Sequence, residues 1–336
     1  MTIAEARGAD QSGRARFYVS LKGLALSISI LATSFSAHAQ SGAEPPLRHE
    51  INRGLVEIMG PALHTTASEM AADMARLLSD GNDLRVVPNI GRGSFQTIQD
   101  LLFMRGIDIG LVNSAVLQFF REKNVLPGLD LDKHVRYIAP YYPAEFHVFA
   151  RSDVRTIYDL EGQDVSFGSP TSASNMTSSL VFGSLDITPN VVHFNHSESI
   201  QKVKNGEIAA FTISDGKPWN RVLDLKPEDG VHLLEIPAGH QYRGSFGPAV
   251  FTSDDYPNLI APGETIQTLS NQMVMAVYNW PKGHPRHANV VKFGQAFFAK
   301  FNELQTGPSN HPKWKEVNPY LDVPGWQRFD INEPSS

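Results

Sequence analysis

The sequence contains no cysteine among its 336 residues. A chain without cysteine has no disulfide framework, no cysteine-based zinc site and no thiol nucleophile. It also lacks the G-x-S-x-G motif of many serine hydrolases and the H-E-x-x-H motif of zinc peptidases. These absences exclude several enzyme classes and leave binding functions open.

Long hydrophobic runs are also scarce, since no segment after the N-terminus reaches the roughly 18 apolar residues of a membrane helix. Within residues 1–39, basic residues precede the run GLALSISILATSF, and Ala37 and Ala39 occupy the small-residue positions that a signal peptidase needs. We therefore predict a signal peptide over 1–39, a linker over 40–50 and a periplasmic location. The leader before the apolar run is long, which leaves the true start codon open.

Basic residues are in the minority. The chain has 29 Lys and Arg against 35 Asp and Glu, a formal net charge of −6, and is more acidic still without its first 39 residues. Nucleic-acid-binding domains carry the opposite balance, so we expect no nucleic-acid partner. His193 and His196 in HFNH have the spacing of some metal ligands, but no acidic or cysteine partner lies nearby in sequence. We therefore predict neither a metal nor another cofactor.

Strand-like apolar runs alternate with segments of helical periodicity through most of the chain. The strand-like runs are LVEIMG, LRVVPNIG, IDIGLVNS, two runs within residues 135–153, VVHFN and IAAFTIS. Between the first two, Met70, Met74, Leu77 and Leu78 recur at helical spacing. This alternation predicts an α/β fold with a largely parallel sheet.

One pattern occurs in both halves of the chain: a strand, then a Gly/Ser-rich loop that opens a helix. The two copies are VVPNIGRGSFQTIQDL and VSFGSPTSASNMTSSL. The first N–H groups of a helix are unpaired and carry partial positive charge, and loops at strand ends face the ligand crevice of an open α/β sheet. The pattern predicts an anion site. Helix capping is the alternative, because Ser, Thr and Asn are common N-caps.

A third polar segment, ISDGKPW, ends a strand with Asp215 and Lys217 at its tip. A turn explains Asp-Gly and Pro at this point. Alternatively, both charges lie at the crevice, where Asp215 pairs with an amine of a ligand or with Lys217.

Three segments resemble, in the same order, segments of the TAXI family, the extracytoplasmic solute receptors of TRAP transporters. They are GRGSFQTIQDLLFMRGIDIGLVNSAVLQFF, APYYPAEFHVFARSDVRTIYDLEGQDVSFGSPTSAS and VKNGEIAAFTISDGKP. The family usually opens with a segment that contains a Tyr pair, whereas this sequence reads MGPALHTTASEM there. The resemblance therefore leaves the identity of the solute open.

The resemblance implies a two-lobe, type II periplasmic-binding-protein fold with hinge strands. Lobe one would comprise residues 51–143 and 241–336, and lobe two residues 144–240. The ligand-binding residues that we expect on this basis are Ser94, Phe95, Asn113, Ser114, Tyr142, Thr171, Ser172, Ser174, Asp215 and Pro218.

The resemblance also implies a function. We expect a monomer that is not an enzyme, captures a small anionic solute of the amino acid or carboxylate class, and delivers it to TRAP-type permease subunits. Two alternatives stay open: a receptor that docks a sensor kinase, and a periplasmic enzyme on the same fold. His147, Asp215 and Lys217 are the acid–base candidates for the enzyme.

Overall fold

The computed structural model describes residues 52–242 and 246–332, and these belong to one compact unit. The predicted signal peptide and linker lie outside the described residues. Among the residues that are described, no helix combines the length and the apolar character needed to cross a bilayer.

The first part of the chain alternates strands and helices, as its pattern predicts. Its elements are β1 (Leu55–Gly60), α1 (Thr66–Leu78), β2 (Arg85–Ile90), α2 (Ser94–Phe103), β3 (Ile107–Asn113) and α3 (Ser114–Glu122). Strand β1 pairs in parallel with both β2 and β3. Helix α1 buries Met70, Met74 and Leu78 on one face, which follows from their helical spacing.

Two long strands run through the middle of the sheet. After the short helix α4 (Leu131–His134), β4 (Val135–Arg151) continues without interruption where the sequence has two apolar runs. Strand β10 (Thr265–Tyr278) lies antiparallel to both β3 and β4. Because β4 and β10 extend from one half of the sheet into the other, we refer to them as the crossing strands.

The second half of the sheet lies beyond β4. Its elements are β5 (Asp164–Ser166), α5 (Ala173–Ser184), β6 (Asn190–Val192), α6 (His196–Lys204), β7 (Ala210–Asp215), β8 (Val231–Leu233) and β9 (Gly247–Thr252). Along the sheet, the order of the strands is β2-β1-β3-β10-β4-β7-β5-β6, while β8 pairs with β4 and β9 with β10. Strand β5 is parallel to β6 and β7.

The C-terminal segment returns to the first half. It contains α7 (Pro285–Ala299), α8 (Phe301–Thr306) and a 3₁₀ turn (Pro312–Glu316). Trp314 in this turn is fully buried in the core beside α1. Its neighbour Lys313 is also buried, and Lys313 Nζ lies 2.7 Å from Glu145 Oε1 on β4. The C-terminal segment is thus anchored to a crossing strand.

Each half of the sheet has its own hydrophobic cores. In the second half, Val148 and Phe149 are neighbours on β4 but belong to different core clusters, as expected for alternating faces of a strand. We call the half with β1–β3 and α7 lobe one, and the half with β5–β9 lobe two. The predicted fold class, α/β with two lobes joined by hinge strands, is confirmed. The prediction of a largely parallel sheet is wrong, because both crossing strands pair antiparallel with all of their neighbours. The exact lobe boundaries that we predicted stay a prediction.

Candidate functional site

A cavity of about 420 Å³ is lined by residues of both lobes. Lobe one contributes loops that follow β1 and β2, and lobe two contributes loops that follow β5, β6 and β7. A volume of this order suits a small organic molecule. The place agrees with the general rule that ligands of open α/β sheets bind beyond the carboxyl ends of the strands.

Four helices begin at this cavity. The N-caps of α1, α2, α5 and α6 are Thr65, Gly93, Ser172 and Asn195, and all four line it. The first N–H groups of each helix have no partner within the helix, and the helix dipole adds partial positive charge. The cavity wall therefore favours an anionic group.

The lobes touch at one side of the cavity through the two Gly/Ser-rich loops. Thr171 Oγ1 donates to the backbone oxygen of Arg92 at 2.8 Å, and the N–H of Phe95 donates to the backbone oxygen of Thr171 at 3.3 Å. Gly93 makes this approach possible: its φ is 128°, and a Cβ there would lie 2.3 Å from the backbone oxygen of Thr171. The two loops thus contact each other directly.

Asp215 joins the lobes at a second place. Its carboxylate accepts bonds from Tyr142 Oη at 2.8 Å, from the N–H of Thr66 at 3.2 Å and from the N–H of Gly216 at 2.9 Å. Burial raises the pKa of Asp215 above its usual range. Lys217 does not pair with it, because Lys217 Nζ lies 3.0 Å from Asp255 Oδ2. The sequence left that pairing open.

The predicted hydroxyl groups of the α5 loop lie at the cavity, but they are engaged. Ser172 Oγ accepts from the N–H of Asn175 at 3.1 Å and donates to the backbone oxygen of Ser169 at 2.7 Å. Ser174 Oγ accepts from the N–H of Ser214 at 3.0 Å. Ser172 and Ser174 line the cavity, whereas Thr171 lies at the contact between the lobes.

In lobe one, Ser94 and Tyr142 line the cavity, whereas Phe95 and Asn113 lie outside its lining. Phe95 packs against Phe120 with ring centroids 4.4 Å apart. Asn113 caps α3 and accepts from the N–H of Ala115 at 2.9 Å.

Two further predicted residues also lie outside the lining. Ser114 borders a smaller cavity of about 170 Å³, and Pro218 is half-buried next to Lys217. Of the predicted binding residues, the fold thus brings Ser94, Tyr142, Ser172, Ser174 and Asp215 together at one cavity.

Sequence reasoning missed several polar residues of the lining, among them Ser214, Arg221 and His196. Arg221 Nη1 donates to Ser197 Oγ at 3.1 Å, at the N-terminus of α6. Burial, and then the neighbouring Arg221 charge, lower the pKa of His196 to about 4, so its ring is neutral at neutral pH. A basic residue six positions after the end of β7 is the signal that could have drawn attention to Arg221.

The residues considered for metal binding and catalysis have other partners. His193 Nδ1 lies 2.7 Å from the backbone oxygen of Gly168, and over the described ranges no three His, Asp or Glu side chains are grouped to hold a metal. His147 is fully buried, its Nε2 lies 2.7 Å from Tyr256 Oη, and burial lowers its pKa to about 3. Of the three acid–base candidates named from the sequence, Asp215 lines the cavity, whereas His147 and Lys217 lie outside its lining.

Solved structures are similar to this chain at low sequence identity. A structure from Bordetella bronchiseptica RB50 is 13% identical with a TM-score of 0.50, and covers 80% of this chain and 76% of that one. An ancestral arginine-binding protein bound to arginine is 16% identical with a TM-score of 0.45, and the match covers 75% of this chain and 94% of that one. The alkanesulfonate-binding protein from Xanthomonas axonopodis pv. citri bound to MOPS is 16% identical with a TM-score of 0.44, and the match covers 83% of this chain and 86% of that one.

No curated protein matches the sequence. A family model does match, and it covers residues 71–279, which is more than half of the chain. That range begins within α1 and runs past the end of β10, so it includes three of the four helices that begin at the cavity in full, the rest of α1 from residue 71, and both crossing strands. The chain belongs to the NMT1-like family.

Proposed function

We propose that this is an exported, periplasmic solute-binding protein that captures a small anionic organic solute between its two lobes. The observation that carries the proposal is the cavity onto which four helix N-termini converge. The basic side chains of Arg92 and Arg221 add positive charge to its lining, and a single carboxylate, Asp215, opposes them. An amino acid or another carboxylate fits this balance of charges. We propose that it binds without a metal or another cofactor.

Binding would act through closure of the lobes about the crossing strands. Contacts between the lobes, such as Thr171 to Arg92 and Thr66 to Asp215, exist only when the lobes approach. A solute that contacts both lobes adds to these contacts and stabilises the closed state. A membrane protein that recognises the closed state then receives the solute.

A TRAP-type permease is the partner that we propose, on the strength of the TAXI-like segments over about residues 84–220. A sensor kinase is the alternative partner. Deletion of the gene separates the two, because a transport receptor is required for uptake of the labelled solute. Normal uptake in the deletion strain, together with loss of a transcriptional response to the solute, would favour the sensor.

The ligand class is tested by thermal denaturation of the purified protein. We would add L-glutamate, 2-oxoglutarate, hexanoate, benzoate or ethanesulfonate, each over a concentration series, with glucose as the neutral control. A ligand of the folded state stabilises it by RT ln(1 + [L]/Kd), so its melting temperature must rise with concentration. A rise with glucose and with none of the acids would overturn the proposal of an anionic solute.

A further inference from the structure

Arg221 has an unusual position for a basic side chain. It lies in the 3₁₀ turn Asn220–Val222, lines the cavity, and donates from Nη1 to Ser197 Oγ at 3.1 Å. Its Nε is buried and has no hydrogen-bond partner, and within residues 52–242 and 246–332 no carboxylate pairs with this guanidinium. A guanidinium presents its donors in a planar fork that matches the geometry of a carboxylate.

Ser214, at the end of β7, lines the same cavity as Arg221 and carries a second donor without a partner. The residue is 9% exposed, and its Oγ is buried without a hydrogen-bond partner in the described part of the chain. The backbone N–H of Ser214 donates to Ser174 Oγ at 3.0 Å, and this bond keeps the end of β7 beside α5. Most buried polar atoms of a native protein have a partner, so two unpaired donors on residues that line one cavity favour a ligand group at this place.

We propose that Arg221 and Ser214 together form the subsite that holds the acidic group of the solute. The proposal rests on the proposed function and specifies its ligand contact. The first turn of α6 lies beside this subsite, because Ser197 accepts from Arg221 and Asn195 and His196 line the same cavity. The helix N-terminus and the guanidinium then act on the same negative charge.

Other candidates in the cavity fit an acid less well. Arg92 is exposed, and its Nε donates to Gln96 Oε1 at 2.7 Å. Asp215 would repel an anion. Apolar side chains, among them Leu63, Ile213 and Met273, line other parts of the wall and suit the body of the solute.

The test is calorimetric titration of the purified protein with whichever of the five acids of the thermal panel binds wild type most tightly. We expect Arg221→Gln to weaken binding about 30- to 1,000-fold, as for loss of one partner of a buried charged pair. Ser214→Ala should weaken it about 5- to 10-fold, as for loss of one hydrogen bond. The matched controls are Arg155→Gln and Ser179→Ala, which are exposed in lobe two outside the cavity and should bind within about twofold of wild type.

The outcomes separate the two proposals. If no acid binds wild type, the proposed function and this subsite both fall. If an acid binds wild type and Arg221→Gln equally well, the subsite alone is wrong. Should Arg221→Gln fail to fold, Arg221→Lys replaces it: the charge is retained but the fork is lost, so about a tenfold loss supports the subsite and unchanged affinity overturns it.

Discussion

Helices α5 and α6 both begin at the cavity on lobe two, yet their polar groups are used differently. The α5 loop is rich in hydroxyl groups, and these bond to one another's backbone or to lobe one, as Ser172 does with Ser169 and Thr171 with Arg92. The α6 terminus is poorer in hydroxyl groups. Beside it, however, Arg221 Nε and Ser214 Oγ are buried without a partner in the described residues.

The difference shows that the number of polar groups at a helix N-terminus does not measure its capacity for a ligand. Ser, Thr and Asn readily bond to the nearby backbone, so a cluster of them tends to satisfy itself. Binding capacity lies where a donor is buried and has no partner in the chain. We infer that the α5 loop closes the cavity and that the α6 terminus holds the charge.

The closing role of the α5 loop predicts a large effect, in Gly93→Ala. The added Cβ would lie 2.3 Å from the backbone oxygen of Thr171, and the φ of 128° is strained for any residue with a Cβ. Together these should disfavour the closed state by about 2 kcal/mol or more, and affinity for the best acid of the panel should fall at least about 30-fold. Calorimetric titration measures this.

Gly128→Ala is the matched control for backbone strain. Its φ is 87°, and a Cβ there would meet no atom within 4 Å. We expect this variant to lose stability from strain and to keep its affinity. Equal losses of affinity in both glycine variants would show that strain, and not the contact between the loops, is responsible.

Because of His196 at the α6 terminus, we predict that the protein becomes less stable in acid. The pKa of His196 is about 4, below its usual value, mainly because the ring is buried and also because Arg221 is near. The unfolded chain takes up this proton near pH 6.5 and the folded chain only near pH 4. The stability contribution is therefore complete above pH 6.5 and is lost as the pH falls toward 4.

The size of this loss should be about 1–2 kcal/mol, since the residue as a whole is only half-buried. Histidine NMR titrations of wild type and Arg221→Gln should show a pKa of about 4 in wild type and a higher value in the variant. A His196 that titrates at its ordinary pKa in wild type would contradict the buried environment of this terminus.

Much of the fold could be predicted because hydrophobic periodicity is local. The runs LVEIMG, LRVVPNIG and IDIGLVNS became β1, β2 and β3 at nearly the expected bounds. The 17 residues of β4 were harder, because residues 135–153 contain two apolar runs and the partners that hold them in one strand, β7 and β10, are distant in sequence.

The site was less accessible to sequence reasoning. Spacing after a strand drew attention to Ser94, Ser174 and Asp215, which line the cavity, and their role in binding stays a prediction. It could not reveal that Ser174 is engaged with Ser214, 40 residues away. Nor could it show that Arg221 turns back to α6, since that depends on the packing of the turn after β7.

The smallest expected effect is that of Ser172→Ala, which tests the difference between the two helix termini at α5. Ser172→Ala removes the side chain that caps α5, so the free energy of unfolding should fall by about 1 kcal/mol in urea denaturation. Affinity for the acid should stay within about threefold of wild type, because both bonds of this hydroxyl are made inside the loop. A large loss of affinity at unchanged stability would mean that the Ser172 hydroxyl contacts the solute, and the distinction between the two helix termini would then be wrong.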